Sequence, residues 1–221
     1  MFDAGGMETT ERAPWWRYLR LSLRSLFALI LMIGGWLGWI VSSAWIQREA
    51  VAAIERDGGK VLYDWQSKNG HPLPGATPWA PRWMVDRMGV DYFGHVVSAS
   101  LSTHATEEVL IHVGRLGHLR ELYLMGLPVT DEGLAHLKGL ADLRILDLTG
   151  ARVSNDGLMS LEGLTKLEVL NFAYADRVGD AGLVHLRGLT GLRTLALYNT
   201  GVTVAGVRSL RQALPWAQIE H

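Results

Sequence analysis

Four hexapeptides in the second half of the chain are versions of one another: LRELYL begins at Leu119, LRILDL at Leu143, LEVLNF at Leu167 and LRTLAL at Leu192. The steps between them are 24, 24 and 25 residues, and a weaker copy, VVSASL, begins at Val96. A fixed period in this range is the signature of a solenoid. In the copy starting at Leu143, the apolar set Leu143, Leu146, Leu148, Val153, Leu158, Leu161 and Leu164 reads as inward-pointing from a strand and a helix together. No single copy can bury that many apolar groups, so each must be stacked on its neighbours. A fully buried leucine contributes about 1.5–3 kcal/mol, which makes the stack the stable object.

The punctuation repeats as well. Thr106, Thr130, Ser154, Gly179 and Thr203 stand where a helix would start, and acidic residues follow Thr106, Thr130 and Ser154 as the helix dipole favours. Gly139, Gly163 and Gly188 stand where it would end, and a left-handed residue is expected at each. Each copy is therefore predicted to run strand, turn, helix of about two turns, and turn back.

The stretch LRILDLTGARVSNDGLMSLEGL and its sisters resemble leucine-rich repeats, specifically the subtype whose helices read [ST]-[DN]-x-G-L-x-x-L. The resemblance covers 96–221. It implies an α/β solenoid: a right-handed coil with a parallel concave sheet and convex helices. The order of RLSLRSLFALILMIGGWLGW, REAVAAIERDGGKVLYDW and then repeats also resembles short membrane-anchored bacterial proteins of this family. Similar repeats occur in ubiquitin-ligase substrate receptors, but here no F-box-like segment is found and an apolar run takes its usual place. Two departures stand out. Leu127, Ala151, Ala175 and Thr200 replace the family's asparagine after the strand, and AYADRV carries one extra residue that should bulge its loop. Trp216 and Ile219 read as strand positions of a last, incomplete copy.

Residues lying between the buried leucines of each strand are expected on the concave face. They are Glu121, Tyr123 and Met125; Ile145, Asp147 and Thr149; Val169, Asn171 and Ala173; and Thr194, Ala196 and Tyr198, with Ser98, Ser100 and Ser102 in the weak copy. Tyrosines among small groups with few charges suit a protein contact. The candidate partner-binding set is Glu121, Tyr123, Met125, Asp147, Thr149, Asn171, Thr194 and Tyr198.

Chemistry other than binding finds little support. His112, His136 and His185 share one position in their copies, but Ser160 interrupts the column and no carboxylate recurs beside it, so no metal site is expected. Lys138, Glu162 and Arg187 form a neighbouring column of alternating charge, read as a solvated face. Asp147 and Asn171 should be neighbours but lack a nucleophile, base and orienting group. No phosphate loop or zinc motif is present, and no cofactor is expected. A net charge of −1 argues against nucleic acid as partner. With no cysteine, disulfides are excluded and the redox compartment is left open.

The front of the chain is different. Between Arg24 and Arg48 lie 23 residues without a charge, long enough for one bilayer-crossing helix over 25–47. Trp15, Trp16 and Tyr18 before it and Trp45 near its end suit headgroup level. Arg12, Arg17, Arg20 and Arg24 outnumber Arg48, Arg56 and Lys60, which puts the N-terminus in the cytoplasm and the repeats outside. Ser42-Ser43-Ala44 keeps a cleaved signal peptide open as the rival reading. Gly34 and Gly38 form a GxxxG, a possible homodimer contact.

Between span and repeats, REAVAAIERDGG predicts a short helix, and Val61, Tyr63 and Trp65 alternate as in a strand. Residues 66–80, with Pro72, Pro74 and Pro78, predict no regular structure, and Pro81 opens a short helix to Met88. Trp79, Trp83, Tyr92 and Phe93 are expected to be buried in an end cap. The chain is thus divided into an N-terminal cytoplasmic segment 1–24, a transmembrane helix 25–47, a cap and linker 48–95, and repeats 96–221. The function this implies is a membrane-anchored, non-catalytic protein-binding module. Alternatives are a self-associating structural envelope protein, or a ubiquitin-ligase-like receptor repeat without its F-box.

Overall fold

A computed structural model describes residues 23–221 apart from 69, 70 and 74. Arg12, Trp15, Trp16, Arg17, Tyr18, Arg20 and Pro74 therefore lie outside the described residues. The chain divides after Ile40 into two units. Helix α1, Leu23–Arg56, crosses that division, so the predicted span and the short helix after it are one uninterrupted helix. In the first unit its side chains, among them Phe27, Leu31, Trp36 and Trp39, are exposed. Within 25–56 the helix is long and apolar enough to cross a membrane, by length and composition, and none of that apolar stretch is buried.

In the second unit the end of α1 is part of the folded body. Ala44, Gln47, Ala50, Val51 and Ile54 are buried, a face recurring every three or four residues. Strand β1 (Lys60–Tyr63) then pairs antiparallel with β4 (Val96–Ser100), and a hairpin of two-residue strands, β2 (Ser67–Lys68) and β3 (His71–Pro72), occupies part of the stretch expected to be irregular. Helix α2 (Arg82–Met88) starts after Pro81, as predicted. Phe93 is buried, but Trp79 and Trp83 are 79% and 68% exposed, against expectation. The segment carrying them lies on the surface, where a ring has no second layer to enter.

From β4 onward the sheet is parallel: β5 (Glu121–Tyr123), β6 (Ile145–Asp147), β7 (Val169–Asn171), β8 (Thr194–Ala196) and β9 (Gln218–Glu220) follow in spatial as in chain order. Register aligns Leu122, Leu146, Leu170, Leu195 and Ile219 in one buried row. All seven apolar residues named for the copy at Leu143 are fully buried. Ile219 sits in β9 as expected, whereas Trp216 precedes that strand and is exposed.

The opposite side of the coil is slimmer than predicted. Helices α3 (Val109–Val113) and α4 (Asp131–Ala135) make little more than one turn, and two copies have only 3₁₀ turns, Gly157–Leu161 and Gly182–Leu186. Two copies reach the expected length: the one in which α4 runs on into a 3₁₀ turn at His136–Gly139, and the last, with α5 at Val204–Ala213. Parallel strands stack about 4.8 Å apart, while α-helices pack at roughly 8–10 Å, so narrow turns fit a closely stacked coil better. Thr130 and Thr203 do precede α-helices, but in the other copies regular helix starts two or three residues later.

The left-handed positions are also not where they were expected. Gly139, Gly163 and Gly188 are not among the residues with positive φ, and an added Cβ would meet nothing within 4 Å at any of them. The recurrent left-handed residue comes just after each strand instead: Gly126 (φ 76), Gly150 (φ 79), Tyr174 (φ 62) and Asn199 (φ 54).

Candidate functional site

The sheet's open face carries two rows of side chains. One runs Glu121, Ile145, Val169, Thr194 and Gln218; the other runs Tyr123, Asp147, Asn171, Ala196 and Glu220. All but Gln218, which is exposed, are partly exposed, because alternate strand residues leave the core. Five of the eight sequence candidates (Glu121, Tyr123, Asp147, Asn171 and Thr194) are thereby brought side by side. Met125, Thr149 and Tyr198 lie just beyond, where the chain leaves the strands, and Met125 is 62% exposed. Ala173, expected beside them, is buried.

Several of these groups already have local partners. Asp147 Oδ1 accepts from Thr149 N at 2.9 Å and from Thr149 Oγ1 at 2.6 Å, and Asn171 Oδ1 accepts from Ala173 N at 2.9 Å. These are Asx turns that carry the chain off the sheet. Tyr198 Oη donates to Glu220 Oε2 at 3.0 Å. The Tyr123 hydroxyl is held above its ordinary pKa, first by partial burial and then by neighbouring Glu121, so it remains a neutral donor. Met125 and Tyr198 are the large candidate side chains that stand exposed.

A charged strip edges the same face. Arg120, Arg144, Glu168 and Arg193 each precede a strand, and Arg144 Nη1 meets Glu168 Oε1 at 3.0 Å. Asp64 and Ser67 of the cap stand over this strip and close a cavity of about 370 Å³ that also includes Glu121 and Ile145. Sequence reasoning passed over the strip, although its position in each hexapeptide was visible. It also passed over Tyr174, 64% exposed, whose backbone N donates to Tyr198 O at 2.8 Å. Aligning the copies puts Tyr174 where Gly126 and Gly150 stand, which was the available signal.

The histidine column does not assemble. His185 Nδ1 lies 2.7 Å from Glu162 Oε1, while His112 Nδ1 lies 4.0 Å from Glu49 Oε1. Among the described residues no group of three or more metal-ligating side chains occurs. The neighbouring charges also pair differently from a simple column: Glu162 faces His185, and Arg187 Nη2 donates to Ser209 Oγ at 3.0 Å.

A different ladder does assemble, and it explains the repeat motif. The residue after each start position reaches the start position of the next coil. Glu107 Oε1 accepts from Thr130 N and Oγ1 (2.6 and 2.8 Å), and Asp131 accepts from Ser154 N and Oγ (2.7 and 2.6 Å). Asp180 does the same for Thr203 N and Oγ1 (2.7 and 2.6 Å). Gly179 has no hydroxyl, and there Asn155 Oδ1 accepts two backbone N–H groups, from Gly179 and Gly182. The motif glycine makes room: a Cβ on Gly133, Gly157, Gly182 or Gly206 would run into Glu107, Asp131, Asn155 or Asp180 respectively.

Comparison with known proteins bears on this frame. A family described as "Leucine Rich repeat" matches residues 140–161. Comparison with curated proteins gives no match. Among solved structures, a Leptospira interrogans leucine-rich-repeat protein is 21% identical over 50% of this chain and 27% of its own, with a TM-score of 0.40. A Listeria monocytogenes internalin is 15% identical over 62% of this chain and 52% of its own, with a TM-score of 0.35. The chain thus spans roughly a quarter and a half of those two proteins. The matched segment is one of the copies that share a strand frame, a buried leucine row and a capping ladder, and at 140–161 the chain carries a leucine-rich repeat.

Proposed function

We propose that this chain is a membrane-tethered, non-catalytic binding module that takes a protein partner on the concave face of its sheet. The observation that carries the reading is the pair of aligned rows on the open face, ending in Met125, Tyr174 and Tyr198 at one edge. Close strand spacing on one side and wider helical turns on the other bend such a coil with its sheet inward. Leucine-rich repeats are typically protein-binding and generally non-catalytic, which supports this reading. The partner-binding set is Glu121, Tyr123, Met125, Asp147, Thr149, Asn171, Thr194 and Tyr198, with Tyr123 and Tyr198 as anchors.

The tether is the front of α1. Because Ala44 and Gln47 already belong to the folded body, the bilayer-crossing part is 25–43, about 28 Å of helix at roughly 1.5 Å per residue. That matches a hydrocarbon core of about 30 Å. The excess of arginines before the span favours an N-terminus in the cytoplasm and repeats outside it.

The test is affinity capture from envelope extracts with the detergent-solubilised full chain. Tyr123→Ala should weaken capture of the partner by about 1–2 kcal/mol, while Lys138→Ala, on the helical side, should leave it unchanged. Recovery of the chain alone, in a form abolished by bulky substitution at Gly34 and Gly38, would favour self-association instead. Protease added outside intact cells, with any outer envelope opened, should digest the repeats; their protection would reverse the orientation.

A further inference from the structure

The cap carries an open depression of about 500 Å³ lined in good part by aromatic side chains. Trp65, Trp79, Tyr92 and Phe93 line it, and the only acidic side chains among its lining are Asp64 and Asp91. Trp79 and Phe93 meet edge to face, with ring centroids 5.6 Å apart and planes at 79°. Gly94 lets the Trp65 ring lie against the chain, since a Cβ there would come within 2.7 Å of Trp65 Cδ1 and Nε1. The volume falls in the range of small-molecule sites, and nothing in the sheet-face reading uses it.

Charge decides what kind of molecule suits it. Among the described residues no lysine or arginine lines the cavity. The one imidazole in its lining, His95, is pushed toward its neutral form, first by burial and then by His118, whose ring is tilted 40° against it with centroids 4.1 Å apart. Two carboxylates and four aromatic side chains are left, a combination that attracts a cation, although Tyr63 stacks on one side of the Trp65 ring. Both carboxylates have one oxygen engaged by the protein: Asp64 Oδ1 accepts from Trp65 N at 2.9 Å, and Asp91 Oδ1 accepts from Tyr63 Oη at 2.9 Å and Gln47 Nε2 at 3.2 Å. The site therefore offers field and apolar surface more than free acceptors. A primary ammonium, with three N–H groups to satisfy, would lose hydration there without full replacement. A quaternary ammonium has no N–H to satisfy, and its methyl shell packs on rings.

We propose that this cavity binds a small quaternary ammonium of the choline type, held by ring faces and by the charge of Asp64 and Asp91. The proposal does not rest on the sheet-face function, although Asp64 also borders the charged strip at the edge of that face. Trp79, the most exposed wall, closes over the ligand; Asp64 and Asp91 set the charge requirement.

The test is calorimetric titration of the full chain in a maltoside detergent with choline chloride. Saturable binding is expected. 3,3-Dimethylbutan-1-ol, the neutral carbon analogue, should bind at least about tenfold more weakly, and Trp79→Ala and Asp64→Asn should each weaken choline by a similar factor. Because Trp79 is exposed, its removal should leave the melting temperature unchanged. Glycerophosphocholine distinguishes the source: tighter binding than choline assigns a lipid headgroup, and equal or weaker binding assigns the free cation. Either result supports the site. No saturation by choline up to 10-millimolar order, or equal binding of the neutral analogue, or full retention of binding in Trp79→Ala, would overturn it.

Discussion

Asp131 and Ser154, 23 positions apart, are bound twice: Asp131 Oδ1 accepts from the Ser154 backbone N–H at 2.7 Å, and Oδ2 accepts from its hydroxyl at 2.6 Å. One carboxylate thus ties a coil to its successor at the point where the chain turns from sheet to helix. The same carboxylate lies where a Cβ on Gly157 would be, so acid and glycine are two halves of one feature.

That coupling can be measured. Asp131→Ala should cost about 1–2 kcal/mol, since hydrogen bonds to a charged group are worth roughly 1.5–3 kcal/mol when well shielded and this one is partly exposed. Gly157→Ala should also destabilise, because its new Cβ meets Asp131 and also Val153 Cγ1 at 2.8 Å. The double variant should lose less than the sum of the two, because removing the carboxylate relieves most of the crowding. Denaturant melts of all three test this, and strict additivity would show that the glycine is there for another reason.

The sequence stated the period, the leucine rows and the strand register plainly, because side-chain type alone distinguishes buried from open positions at that spacing. It misplaced what depends on residues a whole coil away. The acid after Thr130 looked like a local helix-dipole partner, yet Asp131 serves Ser154 in the next coil. Gly139 looked like a left-handed stop because helices often end so, but the turn there needs no positive φ. Of the candidate site, the rows could be read from the pattern. The Asx turn that occupies Asp147, and the surface position of Trp79, could not, since each is set by where the backbone goes after the regular element ends.

Acid should expose the ladder's dependence on charge. Thr203's hydroxyl and backbone N–H both donate to Asp180 and hold its carboxyl below the usual pKa. A group whose folded-state pKa lies below its unfolded value stabilises fully above the unfolded value, near 3.9 for aspartate. That contribution is lost as pH falls through the folded value. The stability gap between the parent and Asp180→Ala should therefore be constant near neutrality and narrow progressively below about pH 4. Paired melts across that range check it; a gap that widened on acidification would contradict the assigned hydrogen bonds.

Tyr174 holds a left-handed backbone, φ 62, at a position where two sister copies have glycine. Such a conformation costs a residue with a Cβ roughly 1–2 kcal/mol. Asn199 occupies the equivalent place in the next copy, but asparagine tolerates it better than a large ring does. Tyr174→Gly should therefore raise stability by about 1 kcal/mol, the relieved strain being partly offset by the freer unfolded chain. Tyr174→Ala should give no such gain. With its ring exposed at the sheet's edge beside Tyr198, the residue is expected to be retained for contact, so the stabilised glycine variant should capture partner less well than the parent. Unchanged capture by a stabilised variant would remove Tyr174 from the binding face.

Gln47 fastens α1 to the start of β4. It is buried, its Nε2 donates to Gly94 O at 2.9 Å and to Asp91 Oδ1 at 3.2 Å, and its Oε1 accepts from Val96 N at 3.1 Å. A side chain in the middle of an apolar helix thereby supplies the cap with an acceptor for the amide that opens β4. Gln47→Leu would fill a similar volume but leave that amide and the Gly94 carbonyl without this partner, at a cost of about 2–3 kcal/mol. Gln47→Glu would keep the acceptor for Val96 while setting a second negative charge against Asp91, and should be no better tolerated at neutral pH. Hydrogen exchange separates a local effect from general loosening. The Val96 amide should exchange much faster in Gln47→Leu, while amides in the middle of the sheet, such as Leu146 and Leu170, should change only as the global stability does. If Val96 kept its full protection in that variant, the helix would be anchored by its apolar face alone.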